Sequence, residues 1–286
     1  MKTVAISRRE ILNGSLNAAT LDAAVETMKE DGVLLLPQLI DVDHIDALNE
    51  KMQLDLRRMN DGERFAGSWS GLRPPPFSPF LFKDIVFNEM AIAVTHRIMG
   101  DGVTLDSYGA NTAFPGDKPQ PVHADTHPLW PNLEMTPPPH CIVVNVCLDD
   151  VDATNGATKV WPGTHAHDLT LPENRRPIAE MLTDRDRRRP PERVSSKKGD
   201  LILRDMRVWH CGMPNLSNAP RHMLAMIHRP RWAIKWGFEA EKGSEAFFDH
   251  PILEHSAVFI DPPIDYLHPG HSQPRLNADT KFAKRT

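Results

Sequence analysis

The pattern of apolar residues changes near residue 100, and this change limits the folds that the chain can adopt. Residues 21–31 and 41–56 carry apolar side chains every three or four positions, which is typical of amphipathic helices. Beyond residue 100, short apolar runs alternate with turn residues, which is typical of strands. Pro accounts for 26 of the 286 residues, and this excess favours loops and short strands over long helices. The sequence therefore predicts helices followed by a β core.

Start and stop signals place the predicted elements along the chain. The first helix covers residues 21–31, with an N-cap at Thr20 and an end at Gly32. A strand covers 33–40, and Asp41 is the N-cap of the next helix. A further helix covers 85–99, and strands follow at 103–111, 122–125, 141–148, 158–161, 200–203, 208–211 and 222–228. The basic stretch 184–193 is interpreted as a solvated insertion loop. Such a series of strands is the pattern of a sandwich or jelly roll.

Composition narrows the classes of function. The chain has 40% hydrophobic and 25% charged residues, and its N-terminus has no apolar leader. It contains no apolar run of the roughly 18–20 residues that spans a bilayer. Three cysteines without CxxC spacing favour a reducing compartment over a disulfide framework. The net charge of −5 leaves no electrostatic footprint for nucleic acid. We therefore expect a cytoplasmic protein that acts on a small molecule, without nucleic acid or membrane, and leave a homodimer open.

His123 and Asp125 form the most informative polar pair. In a strand, residues two apart point to the same face, so this His-x-Asp pair could chelate one metal ion. The motif alone is weak, because 14 histidines and 38 acidic residues give about two such pairs by chance, and the chain has two. The other pair, His44 and Asp46, lies in a predicted helix, where residues two apart point to different faces. We interpret that pair as helix surface.

His210, on the predicted strand 208–211, is the candidate for a third ligand. Two imidazoles and one carboxylate suit Fe(II) and leave coordination positions open for other molecules. Taken singly, each histidine is more often a hydrogen-bonded structural residue than a ligand. The combination of the two segments makes a metal site the better interpretation.

Four segments resemble, in order, those of the phytanoyl-CoA dioxygenase-like family of iron(II)- and 2-oxoglutarate-dependent oxygenases. They are DGVLLLPQLIDVDHIDALNEKM, QPVHADTHP, VNVCLDDVDATNGATKVWPGTHAH and GDLILRDMRVWHCGMPNLSNAPR. The resemblance covers about residues 30–230. It implies mainly β structure with flanking helices, in a double-stranded β-helix or cupin-like jelly roll. One domain would span residues 1–286, with a helical part at 1–100, a core at about 101–232 and a C-terminal extension at 233–286.

The resemblance also implies site residues. His123, Asp125 and His210 match the iron ligands. Arg221, eleven positions after His210, matches the arginine that binds the distal carboxylate of 2-oxoglutarate. A guanidinium suits that role, because it binds a carboxylate through two parallel hydrogen bonds and stays charged when buried.

Other positions carry weaker expectations. Gln120 and Thr158 fall where relatives supply hydrogen bonds to 2-oxoglutarate, and either could equally be an ordinary polar group of the sheet. Asn145 stands where many relatives carry a bulky aromatic residue, which predicts a reshaped pocket. Substrate contacts are expected from three residues in loops near the site: His127, Trp130 and Trp69.

The implied activity is the oxidation of a small organic molecule with Fe(II), 2-oxoglutarate and O2, releasing succinate and CO2. Hydroxylation, desaturation and oxidative cyclisation stay open, and a secondary-metabolite intermediate or amino-acid derivative is the expected substrate. One alternative is a cupin-type lyase or isomerase that does not use 2-oxoglutarate, and such an enzyme has no need of Arg221. The other is an inactive jelly-roll binding module, against which the intact ligand set argues.

Overall fold

The computed structural model describes residues 2–59, 72–127, 135–168 and 170–267. The helices are α1 (Arg8–Asn13), α2 (Ala18–Asp31), α3 (Val42–Arg58), α4 (Lys83–Val86), α5 (Glu89–Met99), α6 (Thr164–His167) and α7 (Ala179–Arg188). The strands are β1 (Val33–Leu36), β2 (Thr104–Ala113), β3 (Ile142–Cys147), β4 (Lys159–Trp161), β5 (Glu192–Arg193), β6 (Leu201–Asp205), β7 (Trp209–Cys211), β8 (Arg221–Arg229), β9 (Phe238–Glu241), β10 (Glu254–His255) and β11 (Ala257–Ile260). None of the described helices has both the length and the apolar character needed to cross a membrane.

Six strands form the major sheet, in the order β1-β6-β3-β8-β2-β10. The first five pair antiparallel, and β10 joins β2 in parallel, so part of the predicted C-terminal extension belongs to this sheet. Side chains alternate between the two faces. On β8, Leu224 and Met226 belong to the core shared with the helices, whereas Met223 faces the interior between the two sheets.

The minor sheet has the order β5-β4-β7. Its Val160 belongs to the same buried cluster as Val33 and Ile202 of the major sheet, so the two sheets face each other across a shared interior. The chain is therefore mainly β with flanking helices, in a jelly roll, as the sequence predicted. The outer face of the major sheet is covered by helices, because Met28 of α2, Leu48 of α3 and Ile92 of α5 share one core with its strands.

Local signals explain most element boundaries. Asp41 caps α3 as predicted, with its side chain accepting a hydrogen bond from the Asp43 amide at 2.9 Å. Gly32 ends α2 in the left-handed region at φ 69°, also as predicted. The N-cap of α2 is Asn17 rather than Thr20, since the Asn17 side chain accepts from the Thr20 amide.

Three predicted elements differ in the structure. The helix predicted at 85–99 is two helices, because Asn88 begins α5 by capping the Ala91 amide. The first half of the predicted loop at 184–193 belongs to helix α7, since Arg185 is buried and pairs with Asp168, and its last two residues form β5. The predicted strand at 122–125 is reduced to a single bridge between His123 and His210.

Candidate metal centre

His123 and His210 lie side by side on neighbouring backbones. The amide of each donates a hydrogen bond to the carbonyl oxygen of the other, at 3.0 and 2.9 Å. This is a bridge at the edge of the minor sheet, next to β7. The two imidazole rings have centroids 4.4 Å apart as a result. A single pair of backbone hydrogen bonds thus brings together two histidines that are far apart in the sequence.

The backbone also fixes the orientation of both rings. Nδ1 of His123 donates to the carbonyl oxygen of Pro121 at 2.9 Å, and Nδ1 of His210 donates to that of Val208 at 3.0 Å. The Nε2 atoms are therefore free, and each lies 3.5 Å from one oxygen of Asp125. The ligand atoms of all three side chains lie within 4.8 Å of one another, a spacing that could hold one metal ion.

The segment that carries His123 and Asp125 is held from two sides although it is not a regular strand. The Asp125 amide donates to the carbonyl oxygen of Met206 at 2.8 Å, and the Ala124 amide donates to that of Arg175 at 3.0 Å. Ala124 is buried among Trp161 and Trp209. The alternation expected of a strand is thus kept over these three residues, with the two polar side chains on the opposite side from Ala124.

The surroundings put His210 and Asp125 in the protonation states that bind metals. Burial, with the nearby charge of Arg204, lowers the pKa of His210 to about 3, so its imidazole is neutral at pH 7. Burial alone would raise the pKa of Asp125, but the charge and the hydrogen bond of Arg204 hold it well below its usual range. Asp125 is therefore an ionised carboxylate.

The three side chains line a cavity of about 210 Å³. That volume leaves room for a small organic acid. The other polar lining residues are Asn111, Gln120, Asn145, Thr158 and Arg204. The predicted positions Gln120 and Thr158 therefore share the cavity with the three candidate ligands.

Gln120 and Asn145 use part of their hydrogen-bonding capacity within the protein. The side-chain oxygen of Gln120 accepts from the Gly212 amide at 2.9 Å. The side-chain amide of Asn145 donates to the carbonyl oxygen of Leu224 at 2.9 Å. Asn145 thus lines the cavity at a site where an aromatic ring would take up more of its space.

Arg221 is the first residue of β8 and is only 2% exposed. Its Nη2 donates to the carbonyl oxygen of Gly156 at 2.9 Å, whereas its Nη1 has no hydrogen-bond partner among the described residues. It lies on the same face of β8 as Met223, which lines the cavity. Arg221 itself is not among the described residues that line the cavity. A buried guanidinium with an unused donor fits an anionic ligand such as a carboxylate.

The Asn155-Gly156 turn explains how Arg221 is held. Gly156 has φ of 88°, and a Cβ atom there would lie 3.0 Å from the carbonyl oxygen of Met213 and 3.3 Å from Ala113. Only glycine fits both the backbone conformation and the space. Gly156 thus allows the turn that brings its own carbonyl oxygen to Arg221.

Of the three predicted substrate residues, His127 alone lies among the described residues. His127 is exposed, and its Nε2 lies 3.0 Å from the carbonyl oxygen of Glu173, on the segment that also holds Ala124. Trp69 and Trp130 lie outside the described residues.

Arg204 is a site residue that the sequence analysis does not predict: it lines the cavity and donates from Nη2 to Oδ2 of Asp125 at 2.8 Å. The signal in the sequence is an arginine that directly follows the apolar run Leu-Ile-Leu of β6. In the structure all five residues of this strand are buried. A buried charge in such a strand requires a partner. Arg204 has the same strand parity as Ile202, which faces the interior.

Comparisons with known proteins agree with this geometry. A family model described as phytanoyl-CoA dioxygenase (PhyH) matches residues 28–223. The dioxygenase FUM3 of Gibberella moniliformis is 26% identical over 73% of this chain and 72% of its own length. The ectoine dioxygenase of Stutzerimonas stutzeri is 22% identical over 74% of this chain and 78% of its own. The structure of the non-heme alpha-ketoglutarate-dependent carbocyclase SnoK from nogalamycin biosynthesis superposes with a TM-score of 0.55 at 19% identity, over 75% of this chain and 84% of that one.

Proposed function

The chain belongs to the phytanoyl-CoA dioxygenase family of iron- and 2-oxoglutarate-dependent dioxygenases, and on that basis we propose that His123, Asp125 and His210 bind its iron and that Arg221 binds its 2-oxoglutarate. The observation that carries the proposal is the gathering of three ligand atoms within 4.8 Å at the wall of a cavity. The unused Nη1 donor of Arg221, on the strand face that borders the cavity, supports the second part.

Hydrogen bonds within the protein already orient the two proposed histidine ligands for metal binding. Each histidine donates its Nδ1 hydrogen to a backbone carbonyl oxygen, which fixes the tautomer and leaves Nε2 as the metal-binding atom. Two neutral imidazoles and one carboxylate bind Fe(II) on one side and leave the other side open. These side chains would hold the metal at the wall of the cavity.

Arg221 would hold the far carboxylate of 2-oxoglutarate. Its guanidinium is already fixed by the carbonyl oxygens of Asn155 and Gly156, so little side-chain entropy is lost on binding. Thr158 lines the same cavity and offers a hydroxyl group. When iron, 2-oxoglutarate and O2 are bound, they supply the oxidation of a C–H bond while 2-oxoglutarate becomes succinate and CO2.

We place the substrate against the interior face of β2 and β8, beyond the cavity. Asn111 and Met223 line the cavity on this face. The neighbouring residues of the same parity are partly exposed, and three of the four have small side chains: Ser107, Gly109, Ala225 and Ile227. The substrate we propose is a small organic molecule, either a secondary-metabolite intermediate or an amino-acid derivative. It would undergo hydroxylation, desaturation or oxidative cyclisation.

Binding measurements without any substrate test this proposal. Calorimetric titration with Mn(II), a redox-stable substitute for Fe(II), should show one site per chain, and 2-oxoglutarate should bind only once Mn(II) is present. The His123→Ala variant should lose both binding events. The matched control is His127→Ala, which removes an exposed imidazole two positions beyond Asp125 and should keep both. Binding of 2-oxoglutarate without metal, or an unaffected His123→Ala variant, would contradict the assignment.

A further inference from the structure

Arg204 is the fourth of the five residues of β6, in the major sheet, and only 9% of it is exposed. It lines the same cavity as the three proposed metal ligands. Among the described residues that line this cavity, Asp125 is the one acidic group and Arg204 the one arginine or lysine. Burying a positive charge here costs free energy unless the charge is paired and hydrogen-bonded.

The guanidinium of Arg204 contacts two of the three proposed ligands. Its Nη2 donates to Oδ2 of Asp125 at 2.8 Å. Its Nη1 lies 3.3 Å from Nδ1 of His210. Because that Nδ1 carries the hydrogen donated to Val208, the second contact places positive charge beside the ring without adding a hydrogen bond. Arg204 therefore acts on the centre mainly through its charge and through one oxygen of Asp125.

This charge cancels that of the only anionic ligand. With Asp125 and Arg204 paired, the side chains at the centre present no net charge to a divalent cation. The metal alone then keeps its double positive charge in a buried cavity. Such a centre binds a bare cation less tightly and an anion on that cation more tightly than a centre without Arg204.

We propose that Arg204 is a charge-balancing positioning residue, which weakens the binding of the bare metal and strengthens the binding of 2-oxoglutarate to the metal-loaded centre. This inference rests on the proposed function. The bare metal is then held weakly, and 2-oxoglutarate, which both the metal and Arg204 attract, completes the charge balance of the loaded centre. A residue that only supported the fold would have a different signature, because its loss would weaken the binding of both.

Two variants separate charge from shape. Arg204→Gln removes the charge but keeps an amide donor. Arg204→Lys keeps the charge, on an ammonium group in place of the guanidinium. The matched control is Arg207→Gln, three positions along the chain. Arg207 is 3% exposed and is paired with Asp205, Nη2 to Oδ2 at 2.6 Å, but is not among the described residues that line the cavity. For each variant, calorimetry gives the Kd of Mn(II) alone and the Kd of 2-oxoglutarate at saturating Mn(II).

The expected result has opposite signs for the two ligands. Arg204→Gln should bind 2-oxoglutarate about 10–100-fold more weakly, because a nearby unit positive charge is lost, while binding Mn(II) alone as tightly as the wild type or more tightly. Arg204→Lys should return both values towards wild type, and Arg207→Gln should change neither. If Arg204→Gln does not fold, Arg204→Met gives the same comparison, because a methionine can pack beside Ile202 without needing a partner.

Weaker binding of Mn(II) alone in Arg204→Gln would overturn the inference, and so would unchanged binding of 2-oxoglutarate. Failure of the underlying function has a separate signature, in which the wild-type protein itself binds no 2-oxoglutarate in the presence of Mn(II). If the wild type binds both Mn(II) and 2-oxoglutarate, and Arg204→Gln has the same two Kd values, the role of Arg204 is refuted but the proposed function stands.

Discussion

Gln120 and Gly212 are joined by two hydrogen bonds, one through the backbone and one through a side chain. The Gln120 amide donates to the Gly212 carbonyl oxygen at 2.9 Å, and the Gly212 amide donates to Oε1 of Gln120 at 2.9 Å. Gln120 lies three positions before His123, and Gly212 lies two positions after His210. The pair therefore extends the bridge between the two proposed metal-ligand histidines and holds their segments together.

Replacing Gln120 with Leu should destabilise this connection. The Gly212 amide would lose its acceptor beside the cavity, which costs about 1–2 kcal/mol of unfolding free energy for a partly buried donor. Denaturant unfolding of the metal-free protein measures this loss. The Gln120→Glu variant keeps an acceptor oxygen and should remain closer to wild-type stability. Equal stability of Gln120→Leu and the wild type would show that this side-chain bond contributes nothing.

Gly156→Ala should weaken the binding of 2-oxoglutarate as well as the fold. The φ of 88° is unfavourable for alanine, and its Cβ would press on the Met213 carbonyl oxygen at 3.0 Å. The cost is about 1–3 kcal/mol. The shift would also displace the carbonyl oxygen that holds Arg221.

Gly243→Ala is the matched control for that variant. Gly243 has φ of 97° and nothing within 4 Å of an added Cβ, so alanine there meets backbone strain without a steric contact. Both variants should lose stability, but calorimetry should show weaker 2-oxoglutarate binding only for Gly156→Ala. The same loss of binding in both variants would contradict the role given to the Asn155-Gly156 turn.

Buried histidines should make the metal-free protein sensitive to acid. Burial lowers the pKa of His228 to about 3 and that of His222 to about 4, from 6.5 for an unperturbed imidazole. The folded state therefore binds fewer protons than the unfolded state below pH 6.5. Stability is fully present above that pH and falls as the pH decreases towards 4, by up to about 1.4 kcal/mol per pH unit for each group.

The His228→Gln variant tests this dependence. It removes one titrating group from the core and can keep a polar contact with Thr95, whose hydroxyl lies 3.0 Å from Nδ1 of His228. The unfolding free energy of this variant, measured at pH 7, 6 and 5, should fall less steeply than that of the wild type. An unchanged slope in His228→Gln would refute the assignment.

The order of elements followed from the sequence because their signals are local. Asp41 as a cap, Gly32 as a stop and the apolar alternation on β3 and β8 each act within a few residues. The sequence predicts a loop over the second half of helix α7, because a run of arginines is typical of a solvent-exposed segment. Arg185 is instead buried, through its ion pair with Asp168 and its hydrogen bond to the Pro162 carbonyl oxygen. Those contacts depend on tertiary packing, which a local pattern does not contain.

The candidate site was partly predictable for the same reason. The spacing of His123 and Asp125 and their resemblance to a known motif predicted a chelating pair, and the structure brings His210 to them. The strand expected around them is only a bridge, since the His123 segment pairs with β7 at one position. The contact between Arg204 and Asp125 joins residues 79 positions apart, and no pattern within either segment predicts it.

The most direct test of the central claim is the visible charge-transfer absorption of anaerobic protein with Fe(II) and 2-oxoglutarate, which arises only when the keto acid chelates the iron. We predict this band in the wild type, its loss in His210→Ala, and a weaker band at equal ligand concentration in Arg221→Ala. Iron binding without the band would contradict the claim that this centre binds 2-oxoglutarate, and would favour a metal-dependent lyase or isomerase.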